Sequence, residues 1–147
     1  LYRALRPDKT ALVLMDQVLA AHHADRLEAL PLYAMMSASV EALTGRARRI
    51  GGRLRKQGVP ARGTKMRAAL GGGTTPEVTI PSYGLAIGGG QSALDRLRAG
   101  ATPVIGRLED DEVLLDLRSV RPDQDSTLEA MVLDAHSTPS VRQDSGR

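Results

Sequence analysis

The hydrophobic period of this chain changes once, and that change most restricts its fold. From Lys9 to Lys56 the apolar residues recur three and four apart, the spacing of helix faces. From Lys65 onward they fall in short runs separated by glycine, proline or acidic clusters, the pattern of strands joined by turns. A helical first third followed by short strands, with two further helical stretches among and after them, predicts an α+β domain. Its class is α/β in the broad sense: a small, mainly antiparallel sheet with helices on one face.

The expected elements follow in order. Asp8 or Thr10 caps a first helix from about Lys9 to Ala24. Leu12, Met15, Val18 and Leu19 make its stripe, and Val13 and Leu14 widen it. A stripe that broad predicts burial on more than one side. Pro31 opens a second helical stretch, in which Val40, Leu43, Ala47, Ile50 and Leu54 define a core face. It ends at Gly51-Gly52 or runs on to about Lys56. Lys65–Leu70 and Val78–Ile87 read as strands around a turn at Gly71–Pro76, and Pro81 restricts the second to an edge or bulge. Gly88-Gly89-Gly90 breaks that strand. Ser92–Ala99 is a short helix closed by Gly100. Pro103–Leu108 and Val113–Arg118 form a hairpin whose turn lacks glycine, so a longer turn is expected. Asp123 or Asp125 caps a last helix bearing Leu128, Met131 and Val132. The tail from His136 is polar and expected to be disordered.

The core must be aliphatic, because the chain has no Phe, Trp or Cys and only three Tyr. The lack of Cys also excludes disulfides and thiolate metal sites. His22 and His23 are adjacent and cannot share a helix face as metal ligands. Ser37 and Ser39 have no histidine and acid at a recognisable triad spacing. No apolar run approaches the ~20 residues of a membrane span. The net charge is only +3, yet Gly45–Arg67 holds nine basic residues and no acid. That block is either a contact for a polyanion such as RNA or a solvated helix face and loop. It contains no aromatic on which bases could stack.

Gly71-Gly72-Gly73 lacks the following Lys-Ser/Thr of a phosphate-cradling loop and reads as a bend. Arg3 and Arg6 are three apart, which on a helical turn puts two guanidinium groups on one side. Asp8 either caps the helix or pairs with Arg6. Arg107 either faces a ligand or pairs with Asp116 across the hairpin, and Arg118 has the same two readings.

Four phrases occur in order: RALRPDK, LPLYAMM, GGGTTPEVTIPSYGLAI and PVIGRLEDDEVLLDLRSVRPDQD. Over about Leu1–Val132 they resemble the C-terminal part of bacterial selenocysteine synthase, the L-seryl-tRNA(Sec) selenium transferase family. The resemblance implies the C-terminal domain of a fold-type I, aminotransferase-like enzyme that uses pyridoxal phosphate. It implies conversion of seryl-tRNA(Sec) to selenocysteinyl-tRNA(Sec) with selenophosphate as donor. It further implies a cytoplasmic homo-oligomer built from dimers, with no membrane partner.

Residues 1–30 would then hold the end of an active-site motif and an interdomain helix. Residues 31–135 would be the small domain and 136–147 a tail. The large domain, which holds the cofactor and its lysine, would be absent from the chain, leaving no catalytic, cofactor-binding or metal residue here. Arg3 and Arg6 match the family's paired arginines and are implied to bind the phosphate-like selenium donor. Lys9 and Arg107 are candidates for the active-site rim. Two alternatives stand beside this reading. One is a related pyridoxal-phosphate enzyme acting on a small amino acid or amino sugar. The other is a non-catalytic RNA-binding or assembly module.

Overall fold

The computed structural model describes residues 6–69 and 79–137. The chain divides into two compact units, Leu1–Ala38 and Ser39–Arg147. Arg3, and the turn expected at Gly71–Pro76, lie outside the described residues.

The first unit holds α1 (Lys9–His23), a 3-10 turn (Leu27–Ala29) and α2 (Pro31–Ser37). Asp8 is the N-cap of α1, its Oδ1 accepting the Ala11 N–H at 2.7 Å, so the capping reading holds. Tyr33 of α2 meets His22 of α1 edge to face, ring centres 5.5 Å apart, and its hydroxyl is 3.3 Å from His22 Nε2. The wide apolar stripe of α1 is not buried within this chain. Leu12, Val13, Leu14 and Met15 are each 58–62% exposed, and Ala21 alone of the helix is buried.

The second helical stretch is two helices. Ala38 adopts an extended ψ of 122°, and α3 (Val40–Lys56) begins afresh behind the cap Ser39, whose Oγ accepts the Ala42 N–H at 3.1 Å. A serine that satisfies an orphan N–H competes with helix continuation, a break that the apolar period does not register. α2 falls in the first unit, where the sequence grouping joins it to the small domain. Gly51 and Gly52 lie inside α3 and do not end it.

The second unit is built on a four-stranded antiparallel sheet of order β1-β2-β4-β3. The strands are β1 (Ala61–Ala69), β2 (Thr79–Ile87), β3 (Arg107–Glu109) and β4 (Glu112–Asp116), with α4 (Gly90–Ala99) after β2 and α5 (Asp125–Ser137) at the end. α3 packs on β1 and β2, α4 on β3 and β4, and α5 on both helices. Strand register puts Ala61, Ile87 and Val113 in one cross-strand row and Gly63, Leu85 and Leu115 in the next. Leu85 contacts α3 beside Gly51, so this is the helix-covered face. Leu43, Ile50, Leu54, Leu85, Ile87, Leu97, Val113, Leu117 and Val132 are fully buried in an aliphatic core.

Three details explain the register. Pro81 pairs with Arg67 in the half of β2 that precedes its pairing with β4, which starts at Gly84. The missing N–H therefore costs no ladder bond to β4, as the edge expectation required. Gly84 is demanded by packing, since a Cβ there would lie 2.1 Å from the Leu115 carbonyl oxygen. The hairpin turn is short: Asp110 and Asp111, between β3 and β4, take φ of 49° and 61°. Two left-handed residues are what a tight two-residue hairpin demands, and Asp tolerates that region without glycine. The longer turn expected from the missing glycine is thereby corrected.

The first hairpin strand is also shorter than expected. Val104 donates its N–H to Leu97 at the end of α4, at 2.9 Å, instead of to a strand, so β3 begins only at Arg107. At the other end α5 continues through Ser137. His136, expected in the tail, is part of the fold. Its Nδ1 lies 2.8 Å from the Val132 carbonyl and its Nε2 2.9 Å from the Gly88 carbonyl.

Candidate anion-binding site

The basic residues divide into those the fold uses and those it leaves in solvent. Arg46 is buried in α3. Its guanidinium holds both carboxylate oxygens of Asp125, the closest contact being 2.6 Å, and donates to the carbonyls of Leu117 at 2.9 Å and Val120 at 2.7 Å. It ties α3 to the start of α5 and to the segment after β4. Arg53 pairs with Glu129 at 2.5 Å, and Arg55 donates to the Ala61 carbonyl at 2.7 Å. Arg62 pairs with Glu112 across the sheet, and that hydrogen bond and charge hold its pKa above the ordinary arginine value. Arg67 donates to Thr79. Five of the nine basic residues in the block are thus occupied by the domain itself. Arg48, Arg49, Lys56 and Lys65 are exposed, with no ion pair or hydrogen bond to described residues.

Arg118 is resolved as a structural residue: it is buried and donates to the Pro81 carbonyl at 2.7 Å. Arg107 is different. Its cross-strand partner is Leu114, while Asp116 faces Gly84 of β2 and accepts from Ser82 and from the Arg118 N–H. The proposed Arg107–Asp116 pair is therefore not formed. Instead Arg107 shares a shallow depression of about 320 Å³ with Lys65, Arg67, Glu109, Met66 and Leu114. Arg107 and Glu109 share the face of Leu114 and Met66, whereas Lys65 and Arg67 alternate onto the opposite face of β1.

Arg6 and Lys9 belong to the first unit. Arg6 stands two residues before α1 and Lys9 is its first residue; both are exposed and unpaired among the described residues. Asp8, turned to the helix N–H groups, leaves Arg6 uncompensated. The free N–H groups and dipole at a helix start add to a field that favours anions. Among the described residues no group of three His, Asp or Glu side chains is placed to hold a metal.

These features define a class: a small α/β unit with a preceding helical unit, cations turned to solvent in both, and no assembled acid–base or metal centre among the described residues. The comparisons with known proteins make the class specific. The family model for L-seryl-tRNA selenium transferase matches residues 1–121. An L-seryl-tRNA(Sec) selenium transferase of Desulfotalea psychrophila is 33% identical over 141 residues, covering 90% of this chain and 30% of that protein. That of Aquifex aeolicus is 32% identical over 123 residues, covering 80% and 27%. That of Campylobacter concisus is 34% identical over 128 residues, covering 87% and 28%. The chain belongs to the L-seryl-tRNA selenium transferase family. It spans less than a third of the length of these curated relatives.

Proposed function

We propose that this chain is the C-terminal portion of a pyridoxal-phosphate-dependent transferase that converts seryl-tRNA(Sec) to selenocysteinyl-tRNA(Sec), taking selenium from selenophosphate. The observation that carries this reading is the family match from the first residue to 121, which takes in the arginine-bearing leader and the whole sheet. In this reading residues 1–30 close the active-site motif and lead into the small domain, with the cofactor domain elsewhere in the full protein. The full protein works in the cytoplasm as a homo-oligomer of dimers. Among the described residues no helix is long and apolar enough to cross a membrane.

The cofactor's covalent anchor does not fit this chain. Its lysines are Lys9, Lys56 and Lys65, all exposed. A lysine that holds a carbonyl cofactor must be desolvated or set beside another cation to become nucleophilic near neutral pH. No step through the cofactor is assigned to residues here, and the chain alone is expected to be inactive.

What the chain contributes is charge. Arg3 and Arg6 bind the phosphate oxygens of the selenium donor, because guanidinium groups fork onto such oxygens. Lys9 strengthens the same field. Arg107 stands at the rim and receives the end of the tRNA substrate.

A chimera tests this. This chain replaces the matching segment of the Aquifex aeolicus relative, and conversion of seryl-tRNA(Sec) is measured. Turnover is expected, and Arg6→Gln should raise KM for selenophosphate at least tenfold while leaving tRNA binding intact. A chimera that folds and binds the cofactor but shows no turnover, or an Arg6→Gln variant with unchanged KM, would refute the assignment.

A further inference from the structure

The buried residues and the free cations of α3 fall on different sides of the helix. At ~100° per residue, Leu43, Arg46, Ala47, Ile50 and Leu54 sweep the side buried in the domain. Gly45, Gly52 and Lys56 run down the opposite side, with Arg48 and Arg49 to its left and right. Arg48, Arg49 and Lys56 are the exposed cations with no partner among the described residues. The helix carries no acid from Thr44 to Lys56. The nearest neutralised cation is Arg53, on the flank, held by Glu129.

The middle of this face is bare. A Cβ at Gly52 would meet nothing within 4 Å, and one at Gly45 would meet only Arg49 Nη1 at 3.7 Å. The domain's own packing asks for neither glycine. The cations supply the attraction, and the glycines leave the surface between them flat.

We propose that this face of α3 binds the phosphate backbone of RNA, and that in the full protein the RNA is the substrate tRNA. The proposal rests on the function proposed above for its occupant and adds the surface that meets it. Charge complementarity selects a polyanion. Every Leu and Ile of α3 is buried, so the face offers nothing to insert into a lipid surface, as an interfacial helix must. It has no aromatic to stack on a base, so the contact is to phosphates and carries no sequence preference. Arg48 to Lys56 spans about 12 Å of helix axis, enough to touch more than one phosphate.

The test is fluorescence anisotropy of an in vitro transcribed tRNA titrated with the 147-residue chain at several salt concentrations. Arg48→Gln with Arg49→Gln should weaken binding at least tenfold at low salt. It should also make the slope of log K against log salt shallower by about 2, one for each phosphate that is no longer neutralised. A control with equal charge loss, Arg26→Gln with Arg98→Gln, removes two exposed cations elsewhere and should leave the slope unchanged. Gly52→Leu should fold normally, by thermal unfolding, and bind several-fold more weakly.

An equal effect of the control pair, no effect of the α3 pair, or full binding by Gly52→Leu would each overturn the proposal. So would vesicles of phosphatidylserine and phosphatidylcholine that need Arg48 and Arg49 when the tRNA does not. This readout needs no cofactor and no turnover. A chain that binds tRNA through α3 while the chimera is inactive would therefore refute the function and leave the surface standing.

Discussion

Replacing Arg46 by Met should unfold the second unit's core far more readily than replacing any other arginine of the basic block. The side chains of Arg46 and Asp125 are 9% and 17% exposed, so their pairing is largely shielded from solvent. Met fills similar volume but leaves the Asp125 carboxylate without its counter-charge and the Leu117 and Val120 carbonyls without their donor. Removing one partner of a buried ion pair costs about 3–5 kcal/mol. Carbonyls that partly regain water add little, so a loss of about 4 kcal/mol is expected. Pairing the change with Asp125→Leu should recover about 2 kcal/mol or more, since two apolar groups replace a broken pair. The assay is urea unfolding followed by far-UV circular dichroism, with the cycle completed by the Asp125→Leu single variant. A loss below about 1 kcal/mol for Arg46→Met is the value of a solvated surface pair. It would refute the division of the basic block into structural and free residues, and Arg46 would return to the candidates for ligand binding.

Four further outcomes are expected. Ser39→Ala should cost about 1 kcal/mol in the same assay, because it removes the Oγ that satisfies the Ala42 N–H at the start of α3. Gly90→Ala should destabilise by about 2 kcal/mol or more, since Gly90 holds φ +55° and a Cβ there would strike the Asp111 carboxylate; a neutral result would show that the turn after β2 relaxes freely. The isolated chain should self-associate in analytical ultracentrifugation through the exposed apolar side chains of α1, and Leu12→Gln with Met15→Gln and Leu19→Gln should reduce that association. Incubated with pyridoxal phosphate and washed, it should retain no cofactor absorbance; a stable visible band would contradict the placement of the cofactor lysine elsewhere.

Local signals read well from the sequence where one residue's own chemistry decided the outcome. Asp8 as a cap, Gly88–Gly90 as a break, Gly100 as a stop and Pro81 in the unshared half of a strand each follow from a single backbone preference. The class of the domain followed from the change of period, and the family from four phrases in order. The free state of Arg6 was not legible: it required Asp8 to turn to the helix N–H of Ala11, and either partner satisfied the spacing.

What the sequence determined by itself is therefore the set of elements and the supply of charge: an aliphatic core, helices before strands, and an acid-free run of basic residues from Gly45 to Arg67. Only the tertiary structure decided which of those charges are engaged. Arg46 finds Asp125 seventy-nine positions away and Arg62 finds Glu112 fifty positions away, while Arg48, Arg49 and Lys56, on the same helix as Arg46, find no partner among the described residues. Arg107 does not reach Asp116, which faces Gly84 of β2 and accepts from Ser82 and the Arg118 N–H. The physical reason is that an arginine's value depends on whether its guanidinium is desolvated beside a partner or left in water. Those environments are made by segments that meet only when the chain has folded.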